Sequence, residues 1–281
     1  MYVCSLYSAA STQSDVFENE VKPLICQVLK GYNATIFAYG ATGSGKTHTV
    51  IGTENDPGII LRTVKGLLDS SSQFVARGSP APSLEIQMSF LELYNNRAFD
   101  LLEPKGNEIS IRDDHGSQTH CPDLARVTIV SNEQFSERFR LARNERITAP
   151  TRLNDQSSRS HAMLILYIQY SDGTNIFRCA PARRCLPFRN RSSPSPLRSG
   201  KLNIIDLAGN EDNRKSGNCG SRMVESCQIN TSLFSLSNVC SPSRAPHIPC
   251  FLYNHFSLGS SSGLIPDAHP SHMLTGSPAI V

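Results

Sequence analysis

Residues 40–47 read Gly40-Ala41-Thr42-Gly43-Ser44-Gly45-Lys46-Thr47. The glycines allow the backbone to turn with successive N–H groups facing one point, a geometry that receives an anion. A lysine and a hydroxyl residue close the stretch. The pattern G-x-x-x-x-G-K-[ST] assigns the Lys46 ammonium to β- and γ-phosphate oxygens and the Thr47 hydroxyl to Mg²⁺. Just upstream, Ala34 to Tyr39 is a short apolar run that predicts a strand. A helix is predicted to open near Lys46, aiming its positive end at the same point. Strand, glycine-rich turn and helix in that order favour a phosphate cradle over the blander reading, a glycine-rich surface turn.

Outward from this loop, helical and strand periods interleave. Thr12 with Asp15 predicts a helix start, and Phe17, Val21, Leu24, Ile25 and Val28 repeat at helical spacing until Gly31. Leu84, Ile86, Met88 and Phe90 alternate as in a half-buried strand; Asn96 breaks the run before Phe99 to Leu102. Ser131 with Gln134 predicts a helix through Phe135, Phe139 and Ala142. Ala162 to Tyr170 and Leu202 to Leu207 are near-continuous apolar strands, as in a sheet covered on both faces. Ile229, Leu233 and Leu236 mark one stripe of a later helix. This alternation predicts a three-layer α/β domain.

Two segments differ in texture. Residues 173–200 hold six arginines and no Asp, Glu or Lys. Without those six the net charge changes from +3 to −3, so a general nucleic-acid-binding reading loses its support. From Cys240 onward the chain is rich in Pro, Ser, Gly and His with no sustained period. Both segments read as irregular or disordered. The nine cysteines are scattered without a CxxC, which favours free thiols over a zinc site or disulfide framework. No apolar run approaches a membrane span, and Met1 to Ser11 lacks the pattern of a secretory signal. Cytosol or nucleus is the expected compartment.

A phosphate loop names the ligand class and leaves open how the energy is used. Asn154-Asp155-Gln156-Ser157-Ser158-Arg159-Ser160-His161 resembles switch I of the kinesins, N-x-x-S-S-R-S-H. Asp206-Leu207-Ala208-Gly209-Asn210-Glu211 resembles their switch II, D-L-A-G-S-E, with Asn210 in place of Ser. Gly31 to Gly40 is also kinesin-like, and Ile229-Asn230-Thr231-Ser232-Leu233 resembles the start of the helix that kinesins lay across the tubulin interface. Glu211-Asp212-Asn213-Arg214 and Asn230 to Phe234 are most similar to the Kid-like chromokinesins. A P-loop GTPase or small-molecule kinase is a weaker alternative: the switches differ, and the guanine motif Asn-Lys-x-Asp is missing.

The resemblance implies a P-loop NTPase of kinesin motor type, with a mixed, mostly parallel central sheet. It implies ATP and Mg²⁺ as ligands, microtubule-stimulated ATP hydrolysis, tubulin as partner, and a cytoskeletal or spindle location. Contact with chromatin or DNA would use regions absent from this chain. Ser157 and Ser158 would serve Mg²⁺ and the lytic water, and Asp206 would hold Mg²⁺ through water. The Gly209 N–H would sense the γ-phosphate, and Arg159 with Glu211 would form the salt bridge that closes the switches. His48 would lie against adenine. Taken singly these residues have plainer readings: a strand-end turn for Asp206, an ordinary loop for Ser157 and Ser158, solvated charges for Arg159 and Glu211, and structural histidines for His48 and His161.

The resemblance covers about residues 12–239, so 1–239 is expected to form a kinesin motor domain incomplete at both termini, and 240–281 a tail outside the family pattern. The adenine-side Arg-x-Arg-Pro strand of kinesins has no counterpart. His247-Ile248-Pro249 begins the segment kinesins continue as Tyr-Arg-Asp-Ser-Lys-Leu-Thr, but Cys250 to Asn254 departs from it. Residues 173–200 occupy the place of a short interstrand connection, and read either as inserted text of the kind a retained intron encodes or as a basic loop for an acidic surface. The runner-up function is a non-motile protein that binds nucleotide or microtubules. No coiled-coil heptads are present to set an oligomeric state.

Overall fold

In the computed structural model the described residues are 5–8, 10–75, 83–103, 108–114, 118–148, 159–171, 198–210, 220–239, 253–255 and 279–280. After a short strand β1 (Ser5–Tyr7), helix α1 (Gln13–Val16) opens on Thr12, whose side chain accepts from Asp15 N–H while the Asp15 carboxylate accepts from Thr12 N–H. A wide turn (Phe17–Val21) leads into α2 (Lys22–Leu29), with Lys22 N–H reaching five residues back to the Phe17 carbonyl. Pro23 sits at the head of α2 and has no N–H to give a regular ladder, so the wide turn falls where the ladder must break. Gly31, at φ +95, ends the helix: its N–H bonds Val28 O and Tyr32 N–H bonds Gln27 O.

The phosphate loop joins β2 (Ala34–Ala38) to the short helix α3 (Lys46–Val50). Then follow α4 (Ile59–Val75), β3 (Ser83–Tyr94), β4 (Arg97–Asp100), β5 (Glu108–Ile109), the hairpin β6 (Arg112–Asp114) and β7 (Gln118–His120), β8 (Val127–Ile129) and α5 (Asn132–Thr148). Strands β9 (His161–Ser171) and β10 (Arg198–Asp206) precede helix α6 (Ser221–Val239), and β11 (Tyr253–His255) and β12 (Ala279–Ile280) complete the described chain.

The main sheet runs β2-β10-β9-β3-β4-β5, with β8 on β3. It is mixed, as expected, but not mostly parallel: β2–β10 is the parallel pair, and the β10–β9, β9–β3, β3–β4, β3–β8 and β4–β5 pairs are antiparallel. Short connections such as Asn95–Asn96, both at positive φ, force an antiparallel return; only crossovers containing helices give parallel neighbours. Alternation sorts the two faces. Ile86, Met88, Phe90, Leu164, Leu166 and Ile204 enter one core beneath the first helices, α4 and α5. On the other face Phe37 and Leu207 pack with Leu233 of α6. These are the three layers.

Two boundaries change. Strand β10 starts at Arg198, three residues inside the segment set apart as 173–200, because Arg198, Ser199 and Gly200 pair with Tyr170, Gln169 and Ile168 of the long β9. Residues 172–197 lie outside the described set. The tail read as irregular contains β11, parallel to β1, and β12, antiparallel to β11. The backbone edge of β1 pairs with β11 there.

Candidate functional site

The loop 40–47 lies between the end of β2 and α3. Gly43 and Gly45 take φ +77 and +90, and a Cβ built on either would meet nothing within 4 Å, so the backbone there faces open space. Lys46 is buried and folds back over the loop, its Nζ donating to the Gly40 carbonyl at 2.9 Å and the Ala41 carbonyl at 2.8 Å. Thr42 and Gly43 are exposed, and Ser44 Oγ is buried without a hydrogen-bond partner. At the far side of the loop Thr47 Oγ1 donates to Asp206 Oδ2 at 3.0 Å. Asp206 is the last residue of β10, beside Ala38 of β2, so the one parallel pair of the main sheet brings hydroxyl and carboxylate together. Asp206 Oδ1 is buried and has no hydrogen-bond partner.

Glu92 and Arg146 join this group. Arg146 Nη1 donates to Asp206 Oδ2 at 3.2 Å, and Nη2 donates to the Ser160 carbonyl at 3.1 Å. Its Nε lies 3.4 Å from Ser160 Oγ and 3.7 Å from Glu92 Oε1, the latter too long for a hydrogen bond and so a charge contact only. Burial raises the Glu92 carboxyl above its usual range; a hydrogen bond with Ser160 and the charge of Arg146 pull the other way. The phosphate-side carboxylate Asp206 is thus held by a cation from α5 that also touches the backbone just before β9.

Glu92 and Arg146 escape the motif reading, yet the sequence carries a signal for both. Glu92 continues the inward alternation Leu84, Ile86, Met88, Phe90 by one further step, and Arg146 continues the stripe Phe135, Phe139, Ala142 by four residues. Opposite charges on two inward-facing patterns predict a buried pair.

The second connection to the loop comes from beyond Asp206. Gly209 is buried, and Asn210 N–H donates to the Gly40 carbonyl at 3.1 Å. Asn210 Nδ2 also donates to the Tyr39 hydroxyl, whose pKa is raised by burial. The residue that departs from the usual switch II serine therefore ties this segment to the strand before the loop. His48 is exposed, and buried Gln13 donates to its carbonyl at 2.7 Å, with Nδ1 at 3.1 Å. Arg159 stands half-buried in the turn before β9, while Ser157, Ser158 and Glu211 lie outside the described residues. The structure therefore brings together Lys46, Thr47, Asp206 and the Gly209–Asn210 segment.

These residues suit a magnesium-bound triphosphate. A cation beside Thr47 and Asp206 would find a hydroxyl and a buried carboxylate oxygen that has no protein donor. Among the described residues no cluster of three or more His, Cys, Asp or Glu could hold a metal ion. No helix among the described residues is long and apolar enough to cross a membrane.

The family model described as Kinesin motor domain matches residues 4–250. Kinesin-like protein KIF22 of Rattus norvegicus is 40% identical over 235 residues, covering 84% of this chain and 33% of the relative. Kinesin-like protein KIN-10B of Arabidopsis thaliana is 41% identical over 224 residues, covering 80% of this chain and 31% of the relative. The chain thus spans about a third of the length of the relatives it matches. The solved structure of a fast kinesin, described in terms of its ATPase mechanism and interactions with microtubules, superposes with a TM-score of 0.70 at 26% identity, covering 89% of this chain and 66% of that one. The Kid-like resemblance read at residues 211–214 and 230–234 agrees with the KIF22 relatives. By fold, by motif order and by the extent of the family match, this chain belongs to the kinesin motor-domain family.

Proposed function

We propose that the chain binds Mg·ATP at the loop 40–47 and hydrolyses it in a microtubule-stimulated cycle, as the motor part of a cytoskeletal or spindle protein. The observation that carries this reading is the Thr47 hydroxyl 3.0 Å from Asp206, with the second Asp206 oxygen buried and without a hydrogen-bond partner. Bound Mg·ATP supplies the γ-phosphoryl group and a cation that offsets its charge. The chain contributes position and charge, which is most of what phosphoryl transfer needs. Lys46 can exchange the Gly40 and Ala41 carbonyls for phosphate oxygens. Thr47 and Ser158 would hold the cation directly and Asp206 through water, while Arg146 fixes the Asp206 carboxylate. Ser157 orients the attacking water. The Gly209 N–H reads the γ-phosphate, and Arg159 with Glu211 closes the two switches around it. The exposed His48 is available to the adenine ring.

Helix α6 and the surface around it would meet tubulin. Turnover of ATP by the purified chain, with and without microtubules, tests the proposal. Strong stimulation supports a motor ATPase. Nucleotide binding without stimulation, or microtubule binding without nucleotide, indicates the non-motile alternative, and binding of neither refutes both.

A further inference from the structure

His161 opens β9, and both of its ring nitrogens are engaged. Nδ1 accepts from the backbone N–H of Ala208 at 3.0 Å, and Nε2 lies 3.0 Å from Ser232 Oγ in the middle of α6. Ser232 Oγ in turn donates to the Ile229 carbonyl at 2.7 Å. An amide N–H can only donate, so Nδ1 is bare, and the neutral ring carries its proton on Nε2. The Ser232 hydrogen is occupied by Ile229, so Ser232 accepts that proton. Donor and acceptor polarity is therefore consistent along the whole chain from Ala208 to Ile229. Burial, and then the charge of Arg146, depress the His161 pKa to about 4, which keeps the ring neutral and this tautomer in place.

The ends of this chain are unlike. Ala208 lies two residues beyond Asp206 and two before Asn210, both of which contact the phosphate loop. Ser232 lies on α6 beside Leu233, which shares an apolar cluster with Phe37 and Leu207. To that apolar packing the two-ended hydrogen bond of His161 adds a directional link between the 206–210 backbone and one position of the helix.

We propose that His161 is a positioning residue, a strut that transmits displacement of the 206–210 backbone to helix α6 through Ser232. The inference rests on the nucleotide reading of the loop. A histidine that only fills space would affect stability when replaced and leave that transmission intact.

Hydrogen exchange on the whole chain, in Mg·ADP and in Mg²⁺ with a non-hydrolysable ATP analogue, separates the two roles. In the wild type, nucleotide should protect the 43–47 amides, and exchange in 221–239 should differ several-fold between the two nucleotides. Ser232→Ala retains a good helix former and removes the hydroxyl, both the acceptor for His161 and the local bond to Ile229 within the same helix. It should keep the loop protection while the helix ratio between nucleotides falls to unity. His161→Asn retains an acceptor near Ala208 but cannot reach Ser232, and should behave as Ser232→Ala does. A wild-type helix ratio in Ser232→Ala, or a wild-type helix that ignores nucleotide, overturns the strut. If the 43–47 amides gain no protection in the wild type, the nucleotide reading fails first and the strut with it.

Discussion

Replacing Arg146 by Met retains the length and apolar stem of the side chain and deletes the charge between Glu92 and Asp206. Arg146 is 6% exposed and each carboxylate 3% exposed, so no solvent is at hand to replace the guanidinium. Removing one partner of such a buried group costs about 3–5 kcal/mol, because the remaining charges lose their compensation. Glu92 can relieve part of this by taking a proton. Burial already raises its pKa, and Arg146 opposes that rise, so the variant raises it further. Between the ordinary carboxylate range and the raised native value, folded Glu92 keeps a proton that the unfolded chain has released. The native state then binds more protons, and stability falls as pH increases through that window. Arg146→Met should therefore lie nearest the wild type at about pH 5 and furthest from it at about pH 8. Glu92→Gln in the same background should recover part of the loss. Urea unfolding followed by circular dichroism measures it as a change in midpoint at constant slope. A deficit below about 1 kcal/mol, or one equal at both pH values, would show that the cluster is not the buried charge network described.

Lys46→Ala should lower ATP turnover by at least about 100-fold, the usual consequence of deleting a donor to a developing phosphoryl charge. Its unfolding midpoint should move little, since Lys46 Nζ donates to the Gly40 and Ala41 carbonyls within its own loop, and undiminished turnover would disprove the loop assignment. Glu211→Ala should bind ATP and stall in hydrolysis, read by single-turnover assay; an unchanged rate counts against the switch pair. Gly200→Ala would set a Cβ 2.3 Å from the Val28 carbonyl oxygen, forcing β10 away from α2. We expect a loss of about 1–3 kcal/mol, and an unaltered melting temperature would refute the close approach.

Much of the scaffold was legible because its signals are local. The Thr12 cap, the stop at Gly31 and the alternation from Leu84 to Phe90 need no distant partner to be read. The same holds for the phosphate loop, whose mechanism is written in eight consecutive residues. Helix α4 was missed because Gly66 and Ser70 to Ser72 dilute the stripe made by Ile59, Ile60, Val64 and Leu67. Sheet direction was misjudged for a different reason. Apolar density says that a strand is covered on both faces, whereas its polarity relative to a neighbour depends on connections whose paths the sequence does not state. Glu92 and Arg146 were passed over because each lies one step past the end of an apolar pattern, where a charge ordinarily marks the pattern's limit. Asn210 stood out as a departure from the family motif, but its partner Tyr39 is 171 residues away along the chain.

The contact between Thr47 and Asp206 spans 159 residues. During synthesis at roughly 5–20 residues per second, the phosphate loop leaves the ribosome about 8–32 s before the strand that completes it. Strand β3 likewise waits for β9, its partner along eleven registered positions. Pairings this distant in sequence are slow to form and leave strand edges unprotected in the interval. A strand translated late thus completes the first part that matters chemically, and a nascent chain that stops before Arg198 has the phosphate loop without the acid that faces it.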